Sequence, residues 1–316
     1  MSTRRAAVID MGTNTFHLLL VELTHQGFKT IYKEKVPVKI GQGGINLNYI
    51  LDEAKERALT TLANFQSKIQ EEKITEVFAF ATSAVRNAEN GADFVREVKN
   101  TIGIQIQVIS GDQEAELIYE GIKFSGSLNG HTELMMDIGG GSVEFIIGDS
   151  YEIFWKRSFE IGGQRLMDLF HHHDPISAGE VIRMETYLHE KLAPLIEAIE
   201  KFKPTGLVGA SGTFDTLTDI YFESMLQCKL TGQHVFELPI SNFKEIHKDL
   251  LTKNREERLE IPGMIQMRVD MIVVASHLID FILNFIPVRS ITCSHYALKE
   301  GAISRVVQAM KKTKST

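Results

Sequence analysis

Acidic, glycine and hydroxyl residues follow one another between two apolar runs in the middle of the chain. Residues 135–147 read MMDIGGGSVEFII, so Asp137 ends the first run and Glu144 begins the second. Two β-type runs joined by glycines predict a tight hairpin. Glycines leave backbone N–H groups accessible, so such a turn can surround a phosphate closely. Carboxylates are hard oxygen ligands that suit a Mg²⁺ ion bridging phosphate oxygens.

A related pattern stands near the N-terminus, where residues 7–21 read AVIDMGTNTFHLLLV. Asp10 aligns with Asp137, and apolar runs flank both turns. A repeated unit of strand, acid, turn and strand predicts two similar lobes that face each other across a cleft and grip one polyanion. The residues predicted to bind phosphates in the two turns are Gly12, Thr13, Asn14, Thr15, Gly139, Gly140, Gly141 and Ser142.

The composition limits the class of protein. The 316 residues suffice for two domains, and the formal net charge at pH 7 is -7. General nucleic-acid binders are usually basic, so we expect no nucleic-acid partner. Two cysteines occur, Cys228 and Cys293, with neither a signal peptide nor an apolar run of membrane-spanning length. These features predict a cytoplasmic protein with reduced thiols and no membrane partner.

The surrounding elements must position the two turns. The pattern predicts three strands, a helix, a strand, a helix, a strand and a helix, and then the same order again. It includes an amphipathic helix over residues 47–72 and a helix over residues 264–285 whose apolar part is expected to be buried. A long helix is also expected to begin after Ser177, a good N-cap residue, and to be kinked or split at Pro194.

The repeated order predicts a fold class of duplicated ribonuclease-H-like α/β lobes around a central cleft, as in the actin, sugar-kinase and Hsp70 superfamily. The turn at Asn129–Gly130 suggests a domain boundary. We therefore assign residues 1–127, joined by the last helix at 299–316, to an N-terminal lobe. Residues 128–298 form the expected C-terminal lobe.

Five segments together indicate a family. They are residues 10–15, 81–86, 109–115, 137–144 and 209–213, which read DMGTNT, ATSAVR, ISGDQEA, DIGGGSVE and GASGT. In type and order they resemble the exopolyphosphatase and guanosine pentaphosphate phosphohydrolase family, often called Ppx/GppA. The resemblance implies hydrolysis of a terminal phosphoanhydride, either in inorganic polyphosphate, at the 5′ γ-phosphate of guanosine pentaphosphate, or in both.

The resemblance also implies roles for individual residues. Glu114 corresponds to the general base that aligns and deprotonates a water in line with the terminal phosphorus. Arg86 corresponds to an arginine at the phosphate, where a guanidinium neutralises developing charge. Asp137, Glu144 and Asp10 would hold Mg²⁺, and a monovalent cation such as K⁺ is a further candidate cofactor. Residues that would bind further phosphates at a helix N-terminus are Ser211, Gly212 and Thr213.

Two alternatives share the superfold. An ATP-dependent kinase or ATPase would retain both phosphate turns and the acidic metal site. A non-catalytic sensor would bind guanosine tetra- or pentaphosphate without releasing phosphate. Gln113 stands where many relatives have a second acid, and Val143 replaces a frequent Thr. The residues do not separate polyphosphate from guanosine pentaphosphate as substrate, and a homodimer is compatible with the resemblance.

A run of histidines, HHHD at residues 171–174, could suggest a second metal site. Consecutive side chains at a helix end point in different directions, so they rarely converge on one ion. We therefore interpret this run as structural. Arg268 and His295 are considered as additional cleft candidates.

Overall fold

The chain folds into two compact α/β units in a computed structural model. The first unit extends to Gly121 and also contains the segment from Leu298 onwards, and the second unit is Ile122–Ala297. The chain passes from one unit to the other within a helix, six residues before the boundary expected between residues 127 and 128. The structure describes residues 4–24, 26–226, 229 and 232–314, so Cys228 lies outside the described residues.

The first unit is built on a five-stranded sheet. Its strands are β1 (Arg5–Met11), β2 (Phe16–Leu23), β3 (Phe28–Val36), β4 (Glu76–Ala81) and β5 (Ile106–Val108). They lie in the order β3-β2-β1-β4-β5, with β1, β4 and β5 parallel and β2 and β3 antiparallel. The helices along this part of the chain are α1 (Asp52–Glu71), α2 (Ser83–Arg86), α3 (Gly91–Thr101) and α4 (Gly111–Ser125).

Helices α1 and α3 share a hydrophobic core with this sheet. Alternate residues of β1, Ala7 and Ile9, are fully buried in one cluster with Leu62 and Phe65 of α1 and Phe94 of α3. Alternate side chains of a strand point to the same face, and one apolar stripe on each helix packs against that face. Burying one such large side chain contributes about 1.5–3 kcal/mol relative to leaving it in water.

The second unit is built on a six-stranded sheet. Its strands are β6 (Glu133–Ile138), β7 (Val143–Gly148), β8 (Ile153–Phe159), β9 (Gly206–Ala210), β10 (Val235–Pro239) and β11 (Ser290–Ser294). The order is β10-β11-β9-β6-β7-β8, with β6, β9 and β11 parallel. This repeats the order of the first sheet and adds β10 at one edge, so the predicted duplication of a ribonuclease-H-like unit is confirmed.

The helices of the second unit surround that sheet. They are α5 (Gly163–Phe170), α6 (Ala178–Lys191), α7 (Ala193–Phe202), α8 (Ser211–Ser224), α9 (Ile240–Thr252), α10 (Arg255–Leu259) and α11 (Met271–Leu283). Ser177 caps α6 in a capping box with Glu180, as its residue type predicts. Pro194 lies in the first turn of α7, so the predicted long helix is split there.

Two predicted helices begin later than their apolar spacing suggested, and one strand was missed. Helix α1 begins at Asp52 rather than 47, because Asn48 has φ 51° in the left-handed region and ends a short 3-10 turn. Helix α11 begins at Met271 rather than 264, because the chain there first forms turns after Gly263, whose φ is 86°. Strand β10 was not predicted.

No helix among the described residues has both the length and the apolar character needed to cross a membrane.

The last helix, α12 (Leu298–Lys314), returns to the first unit. Its backbone approaches α4 so closely that a Cβ on Gly301 would collide with the carbonyl of Leu117. Arg305 also donates from Nη2 to Oε2 of Glu116 at 3.3 Å. Because glycine at position 301 permits this approach, α12 can contact β1 and complete the first unit.

A buried pair of histidines joins α9 to α11. The rings of His247 and His277 stack with centroids 5.5 Å apart, and Nδ1 of His247 lies 3.0 Å from Oγ of Ser276. Burial lowers the pKa of His247 to about 4, and the carboxylate of Asp280 opposes that shift while His277 and Lys244 add to it. A proton on His247 therefore destabilises the folded state.

We expect the free energy of unfolding to decrease as the pH falls from about 6.5 to about 4. The unfolded chain binds the proton near the ordinary histidine pKa of 6.5, whereas folded His247 binds it only near about 4. The unfolded state thus holds more protons in this interval, and each unit of pKa difference is worth about 1.4 kcal/mol. Thermal unfolding across this interval measures the slope, which His247→Gln should flatten. His131→Gln, at an exposed site, is the control, and equal slopes in both variants would contradict the assignment.

Candidate active site

Both predicted turns are hairpins closed by the same backbone hydrogen bond. In the first unit the N–H of Gly12 donates to the carbonyl of Thr15 at 3.1 Å. In the second unit the N–H of Gly139 donates to the carbonyl of Ser142 at 3.0 Å. The sequence alignment of the two turns therefore corresponds to one repeated local geometry.

In the first unit, the candidate residues follow three parallel strands that end at the same edge of the sheet. The register pairs Met11 of β1 with Ala81 of β4, and β5 lies beside β4. The turn at 12–15 follows β1, Arg86 ends α2 after β4, and Glu114 lies in the first turn of α4 after β5. Open α/β sheets bind ligands at this carboxyl edge.

Arg86 and Glu114 form an ion pair at this edge. Nη1 of Arg86 donates to Oε2 of Glu114 at 2.8 Å and to the carbonyl of Ile109 at 3.2 Å. Ser110 and Gln113 position the start of α4, because the N–H of each donates to the side-chain oxygen of the other, at 2.9 and 3.2 Å. Gln113 thus caps the start of α4, and this cap fixes the first helical turn, in which Glu114 is the next residue.

The loop after β3 supports the first turn from behind. The N–H of Lys39 donates to the carbonyl of Asn14 at 2.9 Å, and that of Gly41 donates to the carbonyl of Thr13 at 3.1 Å. A Cβ on Gly41 would collide with the methyl group of Thr13, so this close support requires glycine. Thr15 in turn has its Oγ1 3.0 Å from the Nε2 of a histidine on β2. The backbone of the turn is therefore fixed before any ligand arrives.

In the second unit, the two predicted metal ligands are cross-strand partners. Asp137 on β6 is opposite Glu144 on β7, and they are 7% and 1% exposed. Oγ of Ser211 donates to Oδ2 of Asp137 at 2.7 Å, and Oγ of Ser158 donates to Oε1 of Glu144 at 2.7 Å. A hydroxyl group thus helps to hold each carboxylate in place.

This pair fits the way in which proteins usually hold Mg²⁺. The ion takes one or two carboxylates and completes its octahedral shell with waters and substrate phosphate oxygens. Among the described residues, no group of three or more His, Cys, Asp or Glu side chains could hold a metal ion. Waters and phosphate oxygens would therefore supply the other ligands. Asp10 is the residue of β1 that corresponds to Asp137 of β6, but its cross-strand partner is His17. Its role as a metal ligand stays a prediction.

Helix α5 begins directly on the glycine turn of the second unit. The N–H groups of Gly163 and Gln164 donate to the carbonyls of Gly139 and Gly140, both at 2.8 Å. A Cβ on Gly162 would lie 2.5 Å from the backbone of Gly140, so the two segments pack backbone against backbone. These carbonyls are therefore satisfied by protein. The N–H of Gly140 on this turn is a candidate donor to an anion.

A buried arginine lies on the start of α8. Arg268 is 7% exposed, and a Cβ on Gly212 would collide with its guanidinium group. Burial lowers the pKa of Arg268, and the carboxylates of Asp215 and Asp137 oppose that shift. Nε of Arg268 and Oγ1 of Thr213 have no hydrogen-bond partner in the described part of the chain. Since unpaired buried polar groups are costly, a bound anion or water is the expected partner of the arginine.

Ser211 connects β9 to α8 in a strained conformation. Its φ is 68°, in the left-handed region that costs a non-glycine residue about 1–2 kcal/mol. The register of β6 and β9 places Asp137 opposite Ala210, the residue before this bend. The strained backbone thus directs the hydroxyl of Ser211 onto the carboxylate of Asp137.

We expect Gly212→Ala to weaken phosphate binding by about tenfold, or about 1.4 kcal/mol, because the new methyl group displaces Arg268. Calorimetric titration with tripolyphosphate measures this affinity. Gly179→Ala is a matched control, since Gly179 is also the second residue of a helix and a Cβ there would meet nothing nearer than 3.5 Å. Equal affinities of the two variants would show that Arg268 is not needed for binding.

The structure brings together residues that the sequence did not single out. Gly162 and Arg165 support the glycine turn, and Nε of Arg165 donates to the carbonyl of Gly141 at 2.9 Å. The pair Gly162–Gly163 at the start of α5 was a usable sequence signal that this helix begins close to another backbone segment. Arg268 was already a cleft candidate from the sequence, but its contact with Gly212 had no local signal, because only the folded chain brings the two together.

The chain matches known proteins along most of its length. The model of the Ppx/GppA phosphatase family matches residues 19–310. A guanosine-5′-triphosphate,3′-diphosphate pyrophosphatase from Photobacterium profundum is 25% identical over 305 residues, which cover 96% of this chain and 60% of that protein. The chain therefore spans 60% of the length of this curated relative.

Solved structures show the same fold. An exopolyphosphatase from Cytophaga hutchinsonii has a TM-score of 0.94 and 44% identity, with 97% of this chain and 98% of that one covered. A Ppx/GppA enzyme from Aquifex aeolicus, at 24% identity, has a TM-score of 0.80 over 96% of this chain and 100% of that one. With the family model matched over 19–310 as well, the chain belongs to the Ppx/GppA phosphatase family.

Proposed function

We propose that this protein is a Mg²⁺-dependent phosphoanhydride hydrolase. Its substrate is inorganic polyphosphate, cleaved at a terminal phosphate, or guanosine pentaphosphate, cleaved at the 5′ γ-phosphate, or both. Family membership supports the reaction class, and two relatives, an exopolyphosphatase and a guanosine-5′-triphosphate,3′-diphosphate pyrophosphatase, support the two substrates. The observation that carries the proposal is the ion pair of Arg86 and Glu114 at the carboxyl edge of the first sheet.

Glu114 is the proposed general base. Its carboxylate is 9% exposed and lies where β5 leads into α4, beside the segment that follows β4. A carboxylate at this position can accept a proton from a water aligned with the terminal phosphorus. Oε2 is held by Arg86, so the side chain already has a fixed direction before substrate binds.

Arg86 is the proposed charge-stabilising residue. A guanidinium has five N–H donors in a planar fork and can hold a carboxylate and phosphate oxygens at once. In this position it would keep Glu114 in place and neutralise charge that develops on the transferred phosphoryl group.

The second unit supplies carboxylates and phosphate-binding groups of its own. Asp137 and Glu144 would hold Mg²⁺, which supplies charge neutralisation for the phosphate oxygens when bound. Residues of this unit that would donate hydrogen bonds to further phosphates are Gly140, Gly141, Ser142, Ser211, Gly212, Thr213 and Arg268.

We expect Arg86→Ala to lower kcat by about 10²-fold and to raise KM, because one preorganised donor to developing charge is typically worth that much. Phosphate release from polyphosphate measures both constants. Arg96→Ala removes an exposed arginine that pairs with Asp93 on α3 and should leave them unchanged. Unchanged kinetics of Arg86→Ala would make Arg86 a structural residue.

The decisive experiment compares substrates. Phosphate release is measured with polyphosphates of several lengths, with guanosine pentaphosphate, and with ATP in the presence and absence of sugars or acetate. We expect release from one or both of the first two. Transfer from ATP to an acceptor would instead indicate a kinase, and tight binding of guanosine tetra- or pentaphosphate without release would indicate a sensor.

A further inference from the structure

A second buried arginine, Arg258, lies in the second unit on α10. Its side chain is fully buried, at 0% exposure, and is the largest such side chain among the described residues. Nε donates to the carbonyl of Val269 at 3.1 Å, and Nη1 donates to Oδ1 of Asp174 at 2.7 Å and to the carbonyl of Lys253 at 2.6 Å. Burying a charged group is costly without such partners, so this arginine has a specific structural task.

The histidine run after α5 anchors Arg258. Oε1 of the fully buried Glu180 accepts hydrogen bonds from the N–H groups of His172 and His173 at 3.0 and 3.2 Å. This fixes the backbone that leads into Asp174, whose carboxylate binds Arg258. Within the described residues, no metal-binding group of three or more side chains occurs here. The run therefore supports the backbone that leads into Asp174.

The hydrogen bonds of Arg258 end next to Arg268, the arginine that lies on the start of α8. Val269, whose carbonyl accepts from Arg258, directly follows Arg268. The backbone of Arg268 is held on both sides, since its N–H donates to Ile265 at 2.9 Å and its carbonyl accepts from Ile272 at 2.9 Å. Val269 is bonded directly to Arg268 inside this held segment, so a shift at Val269 would strain these two hydrogen bonds and move the guanidinium group that lies on Gly212.

We infer that Arg258 is a positioning residue, which holds Val269 so that Arg268 stays on the start of α8 where phosphates bind. The inference rests on the proposed function, because it takes the start of α8 as a phosphate subsite. Sites that act on phosphates depend on supporting residues that fix the groups in contact with the ligand. Arg258 would reach no ligand itself and would act through Arg268.

A double-mutant cycle with tripolyphosphate tests this coupling. Arg258→Lys keeps the charge but removes the Nε donor to Val269, and we expect it to weaken tripolyphosphate binding about tenfold. In a protein that already carries Arg268→Gln, Arg258→Lys should change the affinity for tripolyphosphate by less than about twofold, since the guanidinium that Arg258 positions is absent. Affinities come from calorimetry, and thermal unfolding of every variant is recorded alongside.

Arg255→Lys is the matched control. Arg255 also lies on α10 and its N–H donates to Asp174 at 2.6 Å, but its Nε donates to Asp270 and not to Val269. We expect it to change affinity by less than about twofold. If Arg258→Lys does not fold, Asp174→Asn weakens the same anchor more mildly and should show the same dependence on Arg268, with a loss of about threefold.

If Arg258→Lys lowers the affinity for tripolyphosphate equally in the wild-type and Arg268→Gln backgrounds, the inference is overturned. A folded Arg258→Lys variant with unchanged affinity would overturn it as well. The titrations are made in EDTA, where the proposed Mg²⁺-dependent hydrolysis of tripolyphosphate does not proceed, so the measurement is separate from the proposed reaction. A wild-type protein that binds tripolyphosphate but releases no phosphate would refute the hydrolase proposal and leave the coupling testable. An active enzyme in which the two arginines act independently would refute the positioning role alone.

Discussion

Glu114→Gln should lower kcat for phosphate release by about 10²–10⁴-fold and leave the affinity for tripolyphosphate nearly unchanged. Glutamine has the same shape and its Oε1 can still accept from Arg86, so the geometry survives as a hydrogen bond from the charged guanidinium to a neutral amide oxygen. It cannot take a proton from water at neutral pH. The loss should therefore appear in the chemical step, because substrate binding does not use this proton transfer.

The control for this prediction stands two residues further along the same helix. Glu116 is another acid of α4, but its carboxylate pairs with Arg305 of α12 at 3.3 Å and is 39% exposed. Glu116→Gln should retain nearly full activity. Phosphate release at a near-normal rate by Glu114→Gln, or an equal loss in both variants, would remove Glu114 from the role of general base.

Asp137→Asn should abolish most of the activity, with a loss of at least about 10³-fold. A bound metal contributes several kcal/mol of charge stabilisation, and about 4 kcal/mol corresponds to that factor. Asparagine can still accept from Ser211, so the turn should keep its geometry while the anionic ligand is lost. Removal of Mg²⁺ by EDTA should have a similar effect, which restored Mg²⁺ reverses.

Metal binding itself provides a second measurement for this site. Calorimetry with Mg²⁺ should show weaker binding to Asp137→Asn than to the wild-type protein. Asp149→Asn is the control, because Asp149 lies after β7 and its carboxylate accepts from the N–H groups of Tyr151 and Glu152. Full activity in excess EDTA would show that the reaction needs no divalent cation and would end the metal assignment.

Local pattern was sufficient to predict the two hairpin turns and the order of strands. A run of apolar residues, an acid and several glycines specifies a turn through backbone freedom alone, which is why Gly12 and Gly139 could be placed. The capping of α6 by Ser177 is equally local, since cap and partner are three residues apart. Such features depend on near neighbours and can be read without knowing the fold.

Features that depend on distant contacts were not predictable in this way. The apolar spacing of residues 264–270 is typical of a helix. In the folded chain, however, the backbone of Gly263 packs against Asp219, and the carbonyl of Val269 accepts a hydrogen bond from Nε of Arg258. Strand β10 forms only by pairing with β11, which is far along the chain. The contact of Arg268 with Gly212 arises in the same way, so a part of the candidate site became visible only in the folded structure.

The return of α12 to the first unit has a consequence for synthesis on the ribosome. The second unit is one continuous segment, so it can fold as soon as it has left the exit tunnel. At about 5–20 residues per second, the first unit must wait roughly 10–35 s between the emergence of Gly121 and that of Leu298. During this time β1 lacks its final covering helix, although Ala6 and Val8 are fully buried in the complete structure. The nascent first unit therefore exposes an apolar face of β1 that the complete structure buries.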